Sequence, residues 1–197
     1  MKTYMNVRIE NFTRYHKKTP ESLCILHICN CVACKPHGLS LTISKCFPYA
    51  KVYEKRTAQS GFRNLADIQS RPEPGSISVN SAPSQPTIVS CFAQFKMGRS
   101  NSQYFQRRDR LLDQHYKTWH RLDTKEWRKK MFAECLDNVV FWIEENGGIE
   151  TIAIPYKVGC GLAGGNWVQY ERIISDKLLR FCKEKKIDLI LICPFIF

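Results

Sequence analysis

Residues 159–164 read GCGLAG, between an apolar run, IETIAIP (149–155), and an amphipathic one, WVQYERIISDKLLRFCKEK (167–185). Glycines at 159, 161 and 164 let a backbone come close to a ligand. A helix that begins just afterwards adds unpaired N–H groups and the positive end of its dipole. The chemistry this suits is phosphate or diphosphate binding. The run also satisfies G-x-G-x-x-G. A nicotinamide dinucleotide, however, needs a carboxylate at the end of the following strand to hold its ribose. That strand here ends ILICPF (190–195), with no carboxylate.

A second concentration of reactive groups is HICNCVACKPHG (27–38). His27, Cys29 and Cys31 alternate and so share one face of a strand. Side chains two apart on a strand lie roughly 6.5–7 Å from each other, too far for a tetrahedral zinc pair without a turn. Only Cys31 and Cys34 have C-x-x-C spacing, and no second half-site exists. Redox chemistry at CVAC would need a helix N-terminus immediately after it. We therefore expect no metal, and a buried strand that runs into a binding loop. His27 is then a hydrogen-bonded core residue or an acid/base of a site. His37 lies in the loop, contacting ligand or solvated.

These segments need a scaffold. TYMNVRIENF (3–12) alternates as a first strand. LCILHICNCVA (23–33) is a continuous apolar run, suited to a central strand covered on both faces. LSLTISKC (39–46) and PYAKVYEKR (48–56) read as helices, the second started by Pro48. Strands follow after the turn at 71–76 and over PTIVSCFAQF (86–95). Asp123 and Glu126 form a capping-box pattern ahead of a helix with Trp127, Met131, Cys135, Val139 and Trp142 on one stripe, ended by NGG (146–148). IETIAIP is a strand, Asn166 caps the helix at 167–185, and IDLILICPF (187–195) is the last strand. Strand, helix and strand in this order give a parallel crossover, and the class is α/β with helices on both faces of the sheet.

At 197 residues with 44% apolar content, one domain with a sizeable core is expected. Neither a secretion signal nor a membrane span is read from it, and the ten cysteines sit mostly in apolar runs. An intracellular protein of cytoplasm or nucleus with free thiols is the expectation. The formal charge of +12 favours polyanionic partners. Part of it lies in a basic, aromatic-rich insertion at about 98–122, where Arg99, Arg107, Arg108, Arg110 and Arg121 alternate with Tyr104, Phe105, Tyr116 and Trp119. Arginine matches phosphate and aromatic rings stack on bases; the alternative is an amphipathic helix with solvated arginines.

IAIPYKVGCGLAGGNW (152–167), LCILHICNCVACKPHGLSLTISKCFPYAKVYEKR (23–56) and PTIVSCFAQFKMG (86–98) together resemble the macro domain family. The likeness is to the branch with ADP-ribose 1″-phosphate phosphatases, terminal ADP-ribose hydrolases and viral relatives. The resemblance implies a three-layer α/β/α fold with a mixed central sheet, spanning 1–197 as a single domain. It implies ADP-ribose or a terminal derivative as ligand, with hydrolysis as the expected activity and no cofactor. A non-catalytic reader of ADP-ribose or poly-ADP-ribose, or a basic nucleic-acid-binding module, are the alternatives. Val158, Gly159, Cys160, Gly161, Leu162 and Ala163 would wrap the diphosphate and distal ribose. His37, Gly38, Leu39 and Ser40 would form the opposing loop, with Asn30 beside the distal ribose and Gln94 at the end of the central strand. His27 matches a histidine that the phosphatase branch uses in catalysis. Two departures stand out. The first loop reads KPHGLS, with a single glycine. Ala163 stands where the hydrolase branch has a catalytic aspartate. A monomer without membrane association is expected.

On this reading Arg107, Arg108 and Arg110 contact polymer rather than the cleft ligand. Replacing all three with Ser is expected to weaken binding of poly-ADP-ribose more than that of ADP-ribose. Titration of both ligands checks this, and equal loss for the two would place these arginines in the cleft itself.

Overall fold

The computed structural model describes residues 2–5, 20–100 and 122–192. Most of the basic insertion, with Arg107, Arg108 and Arg110, lies outside the described residues, as do Cys193 and the expected first strand beyond Met5. Six strands form one sheet: β1 (Lys2–Met5), β2 (Leu23–Asn30), β3 (Ile77–Asn80), β4 (Thr87–Gln94), β5 (Thr151–Pro155) and β6 (Asp188–Ile192). Their order is β1-β6-β5-β2-β4-β3. All neighbours are parallel except β3, which pairs antiparallel with β4 at the edge.

The apolar runs are explained by position. β2 lies between β5 and β4, and β4 is buried at every residue. Along β2, Cys24 and Leu26 face one layer, built from α2 (Lys125–Asn146) and α3 (Trp167–Ile174). Leu23 and Ile25 face the other, where α1 (Leu39–Cys46) contributes Ile43. A strand with helices over both faces has no polar side, so alternation disappears. This is the three-layer α/β/α arrangement. α3 passes through a π-helical turn (Ser175–Leu179) into α4 (Arg180–Lys185), which leads to β6. Among the described residues no helix is long and apolar enough to cross a membrane.

Two local expectations are corrected. The helix expected over 48–56 is only a 3-10 turn, Pro48–Ala50. Val52 and Tyr53 are drawn instead into a second cluster with Cys29, Cys31, Leu65 and Phe92, which a regular helix would not reach. The cap of α2 is Thr124, whose hydroxyl accepts from the Trp127 amide at 3.1 Å. Asp123 is fully buried and pairs with Arg128, which is 2% exposed. Its two oxygens accept from Arg128 Nε at 2.6 Å and Nη2 at 2.8 Å, and Oδ2 also accepts from the Lys96 amide at 3.1 Å.

Breaking one side of a buried ion pair leaves an uncompensated charge and costs about 3–5 kcal/mol. Asp123→Asn is expected to lower unfolding free energy by that order, read from the urea midpoint at unchanged slope. A loss under about 1 kcal/mol would mean that water or another group neutralises Arg128.

Candidate functional site

In a parallel sheet, ligands bind beyond the carboxyl ends of the strands. Three connections meet there: residues 31–38 after β2, Phe95–Arg99 after β4 and 156–166 after β5. Asn30 and Gln94 are paired in register at this edge.

The first loop is tied down by side chains. Asn30 Oδ1 accepts from the Ala33 amide at 2.8 Å, and Nδ2 donates to the Tyr53 hydroxyl at 3.2 Å. Asn64 Oδ1 accepts from the amides of Cys34 and Lys35 at 3.0 and 2.7 Å. Arg56 donates from below to the carbonyls of Cys31 and Ala33. Ser40 closes the loop on His37, its hydroxyl donating to the His37 carbonyl at 2.8 Å. His37 itself is exposed. Gly38 then starts α1 at φ 56° and ψ −130°, a conformation that L side chains avoid. No side chain caps α1. The amides of Leu39 and Ser40 donate to no acceptor among the described residues, and these are the free donors of a helix start.

The glycine loop folds back on itself. Gly165 N–H donates to the Gly159 carbonyl at 3.0 Å, and Gly164 N–H to the Gly161 carbonyl at 3.0 Å. A Cβ at Gly165 would stand 2.7 Å from that carbonyl oxygen and 2.8 Å from the Tyr170 ring, so the closure needs glycine. Asn166 caps α3, accepting from Gln169 N at 3.4 Å. Gly161 borders open space. The amides of Gly161, Leu162 and Ala163 have no acceptor among the described residues. Val158 is buried and anchors the loop. The Cys160 thiol donates to the Val158 carbonyl, and burial pushes its pKa up to about 11, which makes it a poor nucleophile at neutral pH.

The two loops face one another. Leu162 is 73% exposed, and its Cδ1 lies 3.4 Å from where a Gly38 Cβ would be. The two loops therefore meet where Leu162 reaches Gly38, at the start of α1.

His27 is placed differently. It is 1% exposed, with Nε2 2.8 Å from Ser90 Oγ on β4 and Nδ1 3.6 Å from Cys29 Sγ. Burial pushes its pKa from 6.5 down to about 4. Among the described residues no group of three His, Cys, Asp or Glu side chains is arranged to hold a metal ion.

Sequence reasoning passed over Arg128 and Lys96. Arg128 donates from Nη1 to the carbonyls of Gly98 at 2.7 Å and Ala163 at 3.4 Å, and from Nη2 to that of Lys96 at 3.3 Å. With Asp123 it fastens the turn after β4 to the glycine loop. Lys96 is fully buried, and its Nζ has no hydrogen-bond partner among the described residues. The available signal for Lys96 was a lysine directly after an unbroken apolar strand, at the sheet edge where ligands bind.

No family profile matches the chain. No curated protein matches it either. Solved structures do match, and they show the fold to be that of a macro domain. The macrodomain of Mycobacterium tuberculosis DarG is 17% identical over 90% of each chain, with a TM-score of 0.55. The macrodomain of Thermus aquaticus DarG is 16% identical over 97% of each, with a TM-score of 0.54. A Bacteroides thetaiotaomicron protein of unknown function is 18% identical over 97% of each, with a TM-score of 0.55.

His27 generates a stability prediction. Its folded pKa lies below the unfolded value, so the unfolded chain binds the extra proton between about pH 6.5 and 4. Stability held above pH 6.5 is lost as pH falls through that window, by up to about 3 kcal/mol at its lower end. His27→Gln is expected to flatten this slope in denaturation series from pH 7 to 4. An unchanged slope would show that His27 titrates normally.

Proposed function

We propose that the protein binds ADP-ribose, or a derivative altered at its terminal ribose, across the two facing loops, and hydrolyses the terminal group. The single observation that carries this is that amides without an acceptor among the described residues, those of Leu39 and Ser40 and those of Gly161, Leu162 and Ala163, lie on two segments that meet where Leu162 reaches Gly38. A diphosphate carries acceptor oxygens on both sides and matches donors on two banks, whereas a single phosphate needs only one. The resemblance of both loops to macro domains, and the fold itself, support the same ligand.

On this reading Asn30 stands beside the distal ribose, with its amide oriented by Tyr53 and Ala33. Gln94 and Ser40 are buried. His27 is read differently from the catalytic role that the resemblance implies. It is buried in contact with Ser90 and Cys29, and that burial supports a packing role. His27→Ala should then lower the melting temperature and leave turnover per folded molecule intact. A second reading, binding without turnover, is favoured by Ala163, which puts a methyl group where a carboxylate would serve hydrolysis. Incubation with ADP-ribose 1″-phosphate and assay of released phosphate separates the two.

Gly161→Glu tests the placement. Its position borders open space, so the variant should fold, while the side chain puts bulk and negative charge in the diphosphate path. Calorimetry is expected to show micromolar ADP-ribose binding by the wild type and none by the variant. Unchanged affinity in a folded Gly161→Glu protein would remove the ligand from this loop.

A further inference from the structure

After the 3-10 turn that ends at Ala50, the chain carries Tyr53 inward to the last residue of β2, where it is 2% exposed. Its hydroxyl accepts two bonds from that one residue, from the Asn30 main-chain N–H at 3.1 Å and from Asn30 Nδ2 at 3.2 Å. Burial raises the Tyr53 pKa well above the usual phenol range, so the hydroxyl keeps its proton, and it shares a further hydrogen bond with the Cys29 thiol.

Asn30 is thereby held in one orientation. The Ala33 amide can only donate, so the atom that faces it at 2.8 Å is Oδ1. Nδ2 is then the end that meets Tyr53, and this uses one of its two hydrogens. The other hydrogen has no acceptor among the described residues, and Asn30 is half-buried at the carboxyl edge of the sheet.

Arg56 backs this arrangement. Its guanidinium lies over the Tyr53 ring, 4.4 Å from the centroid, and 5.4 Å from the centroid of Phe92. Nη1 donates to the carbonyls of Cys31 at 3.1 Å and Ala33 at 2.6 Å, while Nη2 has no partner among the described residues. Ala33 is thus held at its amide by Asn30 and at its carbonyl by Arg56, and Tyr53 touches both of those side chains. Asn30, Ala33, Arg56 and Tyr53 close a ring of contacts, and the phenol hydroxyl is its link to Asn30.

We propose that Tyr53 is a positioning residue for the ligand's distal ribose. Its hydroxyl, backed by Arg56, turns the Asn30 amide so that one N–H of Nδ2 is left for a ribose oxygen. This rests on the reading that Asn30 stands beside that ribose. It places control of ribose recognition on a buried side chain behind the one that meets the ligand.

ADP is the comparison probe, because it keeps the diphosphate and lacks the distal ribose. Both affinities are measured by calorimetry on the full chain. The wild type is expected to bind ADP-ribose roughly tenfold more tightly than ADP. Tyr53→Phe keeps the ring beside Arg56 and removes only the hydroxyl. It should cut that preference to about twofold or less, while ADP affinity changes less than about threefold. Asn30→Ala should do the same, and adding Tyr53→Phe to Asn30→Ala should change the ratio no further, since the hydroxyl acts through that amide. Arg56→Lys keeps the charge but not the flat guanidinium over the ring. It should lower the same ratio, and it decides the matter should Tyr53→Phe fail to fold. A merely structural role would weaken ADP and ADP-ribose alike. That result, an unchanged ratio, or additive losses in the double variant would overturn the assignment and leave the diphosphate reading standing. Equal wild-type affinities for ADP and ADP-ribose would do the same. If the wild type binds neither probe, the parent reading falls with it.

Discussion

A guanidinium that is 2% exposed must be neutralised where it stands, and Arg128 makes Asp123 obligatory for that reason. The pair does more than cancel charge. Arg128 reaches the carbonyls of Lys96, Gly98 and Ala163, and Asp123 takes the amide of Lys96. The exit of β4, the start of α2 and the crown of the glycine loop are therefore referred to one ion pair. Loops at the carboxyl edge of a parallel sheet have no ladder to fix them. Here main-chain groups of two such loops borrow their positions from a charge inside the protein. The arrangement also explains the cap of α2. With Asp123 committed inward, the first free amides of the helix fall to Thr124, one residue later.

Around that anchor, the cleft is built almost wholly from backbone. Gly165 closes against the Gly159 carbonyl, and Gly38 starts α1 from a conformation that L side chains avoid, with no side chain capping the helix. The side chains nearest the cleft mostly serve those backbones. Asn30 and Asn64 hold the first loop from its flank, Arg56 from beneath, and Ser40 hooks the His37 carbonyl. Arg99 lies along the glycine loop, its Nε 3.5 Å from where a Gly164 Cβ would stand.

Much of this was legible in the sequence, for identifiable reasons. The apolar runs 23–33 and 86–95 gave strands because burial on both faces erases alternation. LSLTISKC gave α1 with its bounds at 39 and 46 because Gly38 and Pro48 bracket it. Asn166 and Gln169 marked the start of α3, and NGG the end of α2. Residues 48–56 misled because helical spacing and a proline start are also satisfied by a turn whose Val52 and Tyr53 answer to a distant cluster. Asp123 misled because an aspartate three residues before a glutamate is a local pattern. Its true partner, Arg128, lies five residues away, and its third bond reaches Lys96 across the fold. The burial of His27 depends on where Ser90 falls in register, which no single strand reveals.

A site made of main-chain amides places few demands on side-chain identity. It asks for glycine where a Cβ would collide or φ is positive, for helix starts at the right depth, and for a frame that keeps the two banks apart. The frame can be packed from any apolar set of suitable volume. Sequence identity of 16–18% over nearly whole chains accompanies a shared fold, as a frame with so few fixed positions allows. The demands that remain fall on particular positions: glycine at 165, where a Cβ would stand 2.7 Å from the Gly159 carbonyl oxygen, and glycine at 38, where φ is 56°.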